Sequence, residues 1–289
     1  MDNQLIEQIE AARARTGDDA RPGVVEKIHA SDHLTARERI TLLFDKSSFI
    51  EYGALAGATT RPNDEHYADG LVAGVGLIAG QSVVAASYDS SVLAGTQSDR
   101  NHRKIAKLLY LAVEHRWPFV CFVEGAGARP DDPLPAPPIA VSPRGRFELY
   151  DGLAEMNGWA PTVAVVTGNA VDGHAAIAML CDLVITNSDA SFGSADGRSR
   201  AVADYAKTGD VDMIANNERD AIERARRYLS FYLTEPTSGD APPDAEHIAD
   251  IIPQNRRRPY DMRKVIASFA DADSTLELGA DWGRSMLTV

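Results

Sequence analysis

Thr162–Thr186, TVAVVTGNAVDGHAAIAMLCDLVIT, is the stretch from which the fold is read. The apolar run from Thr162 is rich in valine and ends at Gly168, small residues follow from Gly173 to Leu180, and a second apolar run starts at Asp182. β-branched residues suit strands, and small residues let a helix lie close against a sheet, so the stretch predicts strand, turn, helix, strand. A helix between two such strands is a crossover connection, which implies parallel strands buried on both faces.

The same alternation extends upstream. Pro118 precedes a strand, FVCFVE, and before it NHRKIAKLLYLAVEHR places Ile105, Leu108, Leu109, Ala112 and Val113 on one helical face. LVAGVGLI and SVVAAS flank Ala79-Gly80 and read as a hairpin. A helix is expected over Arg146 to Asn157, and the class is α/β. Towards the N-terminus, residues 3–15 carry Leu5, Ile6, Ile9 and Ala12 at helical spacing until Gly17–Gly23 breaks the pattern. Thr35 and Glu38 have the spacing of a capping box at the start of a helix running to Leu43. The proline-rich Pro130–Pro143 cannot be a regular helix and reads as a covering loop. A helix from Glu218 to Tyr232 precedes TSGDAPPD, a linker signal, and a tail with one strand-like piece, STLELG. These breaks suggest an arm at 1–30, a main domain at 31–236, and a linker with the start of a further domain at 237–289.

Composition narrows the function classes. The chain has 289 residues, 44% of them hydrophobic, enough for a sizeable core. Its net charge of -13 opposes binding to nucleic acid or anionic lipid. Cys121 and Cys181 both lie in apolar runs, read as buried thiols, and supply no metal site alone. The N-terminal residues are polar and acidic and no apolar run approaches a membrane span, so a cytoplasmic protein is expected.

Two glycine-containing turns stand where strands end. In FVEGAGARP, Phe122–Pro130, small residues from Gly125 to Ala128 leave backbone N–H groups uncovered, a way of building a site for a developing oxyanion. A tight turn with no ligand is the plainer reading of this one motif. In the second, Gly168 to Ala175, the amides at Gly173 and His174 open a helix and lack intrahelical acceptors. Close helix packing explains the same small residues. The pairing raises the functional reading, because turns one βαβ unit apart can face one crevice. GxSxG, HExxH and Walker motifs are absent. The His174 ring either packs structurally or donates to a thioester oxygen, and Glu124 is either a base or a salt partner of Arg129.

Beyond these turns, HLTARERITLLFDKSSFIEYG, YADGLVAGVGLIAGQSVVAASYDSSVLAGTQSDRNHRKIAKLLYLA, FVEGAGARP and RRPYDMRKVI resemble, in order and spacing, the carboxyltransferase (beta) subunits of biotin-dependent acyl-CoA carboxylases. CDLVITNSDASFG is similar to the wider crotonase superfamily. The resemblance implies a crotonase/ClpP-like superhelix of stacked β-β-α units and CO₂ transfer from carboxybiotin to the α carbon of an acyl-CoA through an enolate. It places oxyanion amides at Gly127 and Ala128 and at Gly173 and His174, with Gly125 and Ala126 in the first turn. It makes Arg37, Arg39, Lys104 and Lys107 candidates for the CoA phosphates, each also readable as an ion pair or a solvated charge. No metal is implied. The implied partners are a biotin carboxylase, a biotin carrier protein and a carboxyltransferase C-terminal domain or subunit, in a homo- or hetero-oligomer. The family usually has two adjacent glycines where this chain has Asp172-Gly173, and its first turn reads GGA after a serine where this one reads GAG. The family's full subunit has two homologous domains, and the expectation here is one. Two further readings stay open: a non-catalytic paralogue that binds acyl-CoA or a partner, and a malonyl-type decarboxylase subunit.

Overall fold

The computed structural model describes residues 3–57, 67–130, 148–194, 196–235, 248–255, 257–271, 274–283 and 285–289. Three helices lead in: α1 (Asn3–Ala14), α2 (Pro22–Ala30) and α3 (Ala36–Leu43). Thr35 caps α3 as its spacing predicts, its Oγ1 accepting the Glu38 N–H at 3.1 Å while Glu38 accepts the Thr35 N–H at 2.8 Å. Such a box satisfies two amides that the first helical turn leaves open. α2 was not anticipated, since Gly17–Gly23 reads as a break; Pro22 instead starts a helix, where its missing N–H costs nothing.

A mixed sheet follows. Strands β1 (Ile50–Glu51), β2 (Leu71–Ile78) and β3 (Gln81–Tyr88) pair antiparallel, the β2–β3 hairpin turning at Ala79-Gly80 as expected. Helix α4 (Asp99–His115) then crosses to β4 (Phe119–Gly125), α5 (Leu149–Met156) to β5 (Thr162–Val171), and α6 (Gly173–Met179) to β6 (Leu183–Asn187). β7 (Ser191–Gly193), β8 (Ser199–Ala201), α7 (Val202–Ala206), β9 (Met213–Ala215), α8 (Glu218–Leu233), α9 (Ile248–Ile251) and α10 (Met262–Phe269) complete the described elements. The strand order is β1-β2-β3-β4-β5-β6-β9, parallel from β3 onward, with β7 and β8 carried on the far end of β5.

Alternation along the strands splits the core in two. One face packs Ala86, Cys121, Val123, Ala164 and Val166 under α4, α5 and α6 through Ile105, Leu109, Leu153 and Ile177. The other packs Ala85, Val120, Phe122, Val163, Val165 and Ile185 under α3 and α8 through Ile40, Leu43, Ile222 and Leu229. Cys121 is buried and Cys181 half-buried, both as free thiols. Burial pushes both thiols up, Cys181 to about 12.

Three expectations are corrected or fall elsewhere. β5 does not stop at Gly168 but runs on to Val171, because Asn169–Val171 pair with Ser191–Gly193. STLELG is not a strand; Leu278 makes only a single bridge, to Thr288. The expected covering loop from 131 onward, the start of the helix at 146 and the linker TSGDAPPD lie outside the described residues. Among the described residues no helix is long and apolar enough to cross a membrane.

Candidate functional site

Both glycine turns lie at the carboxyl ends of neighbouring parallel strands, β4 and β5, and they abut. Gly125 has φ +150°, and a Cβ there would stand 2.6 Å from both the Gly95 carbonyl and the His174 ring, so only glycine fits. The chain then crosses the segment before α4. Ala126 donates to Ala94 O at 3.1 Å, Gln97 donates to Gly127 O at 2.8 Å, and Arg129 donates to Gln97 O at 2.8 Å. These bonds leave the Gly127 and Ala128 N–H groups with no acceptor among the described residues. Gly127 is buried and Ala128 exposed.

The second turn is tighter than the sequence suggests. With β5 running to Val171, it reduces to Asp172, whose φ of 48° and ψ of -105° are costly for a residue with a side chain. The Asp172 N–H donates to Gly193 O at 3.1 Å, and Gly173 and His174 open α6. A Cβ built on Gly127 would meet Val171 Cγ1 at 3.4 Å and Asp172 Oδ2 at 3.6 Å, which fixes the contact between the turns and puts a carboxylate at their junction.

Behind the turns, under α4 and α6, lies a neutral polar cluster. His174 is fully buried, its ring edge-on to Tyr88 with centroids 4.5 Å apart. Burial drives the imidazole pKa down to about 4, the carbonyls of Val171 and Gly95 offsetting it only partly, so the ring is uncharged at neutral pH. Those carbonyls do not reach hydrogen-bond geometry: both His174 nitrogens, both His102 nitrogens, the Tyr88 hydroxyl and Gln97 Nε2 are buried with no partner among the described residues. Burial pushes the Tyr88 hydroxyl up and the His102 ring down.

On the opposite face of the sheet the arrangement is ionic. Arg39 Nε and Nη2 reach Glu218 at 2.6 and 3.0 Å, Nη1 and Nη2 reach Glu124 at 2.8 and 3.4 Å, and Nη1 reaches the Tyr88 carbonyl at 3.5 Å. Every guanidinium N–H is engaged. His33 Nδ1 extends the chain to Glu218 at 2.7 Å. Burial pushes Glu124 up, but the Arg39 charge and the hydrogen bonds from Arg39 and Ser90 together outweigh it and hold the carboxyl below its usual range. Two expectations fall here. Arg39 cannot present its charge to a phosphate, because it is buried and fully bonded. Glu124 is not the partner of Arg129, which pairs instead with Asp69 at 2.6 Å.

The other basic candidates are nearer the surface. Arg37 is bidentate to Glu51 at 2.7 and 3.1 Å. The Lys104 ammonium donates to the Leu71 and Gly53 carbonyls, and burial brings it down to about 8. Lys107 is exposed, 5.7 Å from the Tyr110 ring centroid. The structure thus joins Gly125–Ala128 to Gly173 and His174 and sets Arg39 behind the sheet. Tyr88, Gln97 and His102 were missed by sequence reasoning; they sit in no motif, and only the backbone pairing of Gln97 with the first turn draws attention to them.

The chain is 28% identical to the uncharacterized carboxylase YngE of Bacillus subtilis, over 98% of this chain and 60% of that one. It is 30% identical to the biotin-dependent acetyl-/propionyl-coenzyme A carboxylase beta5 subunit of Mycobacterium tuberculosis, over 98% of this chain and 56% of the relative. Among solved structures, a single-chain, multi-domain long-chain acyl-CoA carboxylase matches with a TM-score of 0.87 and 35% identity, over 98% of this chain and 30% of that one. The transcarboxylase 12S hexamer with hydrolyzed methylmalonyl-coenzyme A bound matches at 0.77 and 26%, over 99% and 59%. The chain therefore spans about 60% or less of the length of these curated relatives. Its fold is the crotonase-like fold of carboxyltransferases. A family model described as the carboxyl transferase domain matches residues 27–195 and 198–289, and the chain belongs to that family.

Proposed function

We propose that the chain is the acyl-CoA-binding part of a carboxyltransferase component of a biotin-dependent acyl-CoA carboxylase. The observation that carries the reading is the pair of amides at Gly127 and Ala128 that have no acceptor among the described residues, on a turn that abuts Gly173 and His174. Backbone N–H groups held in place before the reaction stabilise charge where it develops on an oxygen, without a side-chain base. In this reading Gly127 and Ala128 serve one oxyanion and Gly173 and His174 the other, with Gly125 and Ala126 shaping the first turn. Carboxybiotin on a carrier protein supplies the CO₂ when bound. Arg37, Lys104 and Lys107 are the remaining candidates for the CoA phosphates. The parts are an arm at 1–30, the thioester-binding domain at 31–236, and at 237–289 a linker with the start of a second half. The partners are a biotin carboxylase, a biotin carrier and a C-terminal carboxyltransferase domain or subunit, in a cytoplasmic oligomer.

The test is transfer of labelled carbon from bicarbonate to short acyl-CoAs by the chain with its cognate carboxylase, carrier and second half. Transfer that Ala128→Pro lowers by roughly 10²–10³-fold, the cost of one oxyanion donor, is the expected result. Acyl-CoA binding without transfer under any pairing selects the non-catalytic reading, and CO₂ release from malonyl-CoA without biotin selects the decarboxylase.

A further inference from the structure

Gln97 touches both turns by different parts of itself. It is 2% exposed, on the segment between β3 and α4. Its main chain belongs with the first turn, donating to Gly127 O and accepting from the Arg129 N–H, each at 2.8 Å. Its side chain belongs with the second: the carboxamide lies so close over Gly173 that a Cβ there would overlap Oε1. Nε2 makes no hydrogen bond among the described residues, and although the Gln97 side chain lies near the Tyr88 hydroxyl, that hydroxyl is also without a bond of good geometry among them, so the side chain's defining contact is the one with Gly173. The fit runs both ways, since Gly173 must lack a side chain for Gln97 to rest there.

We propose that Gln97 is a positioning residue: its side chain is the spacer that sets the gap between the two amide turns. The proposal rests on the thioester reading above and adds how the two sets of donors are kept at a fixed separation. Small displacements of such donors matter because their effect depends on alignment with the oxygen they serve. Shortening residue 97 lets Gly173 relax towards the first turn, whereas an unbranched side chain of similar length keeps the gap.

The readout is the carbonyl ¹³C signal of [1-¹³C]acetyl-CoA at saturation on the full chain, which moves downfield when amides polarise the thioester. Titration with free CoA runs in parallel as the control for folding and for the rest of the site. Gln97→Ala is expected to cut the downfield displacement by about half or more, with free-CoA affinity within about twofold of the parent. Gln97→Met is expected to restore it, and Gln97→Leu gives a milder shortening if the alanine variant folds poorly. An undiminished displacement in both shortened variants overturns the proposal, and so does a methionine variant as low as alanine. Acetyl-CoA that binds the parent chain with no displacement overturns the thioester reading itself.

Discussion

The two faces of the sheet carry buried polar clusters at the same level, beneath the ends of the same strands, and they are built on opposite terms. Under α3 and α8, Arg39 is charged, and each of its donors is matched by Glu124, Glu218 or the Tyr88 carbonyl. Under α4 and α6, Tyr88, Gln97, His102 and His174 are neutral and largely unmatched among the described residues. Burying a charge is tolerated only with full compensation, whereas a neutral group without a partner costs roughly 1–3 kcal/mol. The ionic cluster is therefore a brace, and the neutral one gives up stability beside the amide turns.

The contrast breaks most visibly at Arg39. Arg39→Met leaves two buried carboxylates facing each other and is expected to cost about 3–5 kcal/mol in urea unfolding. Adding Glu124→Gln and Glu218→Gln should recover most of that loss. A single variant as stable as the parent would show that the ionic cluster braces nothing.

A smaller effect, and a pH-dependent one, is expected at His174. Its folded-state pKa of about 4 lies below the 6.5 of a free imidazole, so the unfolded chain binds the proton more readily between those values. Stability contributed by the neutral ring is complete above pH 6.5 and is lost as pH falls through 4. Between pH 7 and pH 5 the loss from this one group is about 2 kcal/mol. Subtracting the same pair of unfolding measurements on His174→Leu isolates it. Equal pH dependence in both proteins would mean the ring is hydrogen-bonded or solvated in the fold.

Gln97 should respond least. Gln97→Met removes a carboxamide whose Nε2 has no partner among the described residues, and its stability is expected within about 1 kcal/mol of the parent. A larger loss would move Gln97 to the structural side of the comparison.

What could be read from the sequence follows how local each interaction is. The Thr35–Glu38 box, the Ala79-Gly80 hairpin and the α4 face depend on residues a few positions apart, and each formed as expected. The continuation of β5 past Gly168 depends on Ser191–Gly193, so Gly168 and Asn169 read as a turn when they are strand. Arg39 meets Glu124 and Glu218 across 85 and 179 residues, and no spacing rule links them. The amide turns were legible as glycine motifs. The side chains behind them were not, because a buried Gln or Tyr leaves no periodic trace.

The two cysteines have a practical consequence. Cys121 is sealed within β4, and the Cys181 thiol, with a pKa of about 12, is almost wholly protonated near neutral pH. The thiolate is the nucleophile that attacks an alkylating reagent, so the folded chain should behave towards such reagents as though it had no cysteine. A reporter thiol placed at exposed Ala128 or Asp172 could then carry a fluorophore or spin label to the two turns without prior removal of the native pair.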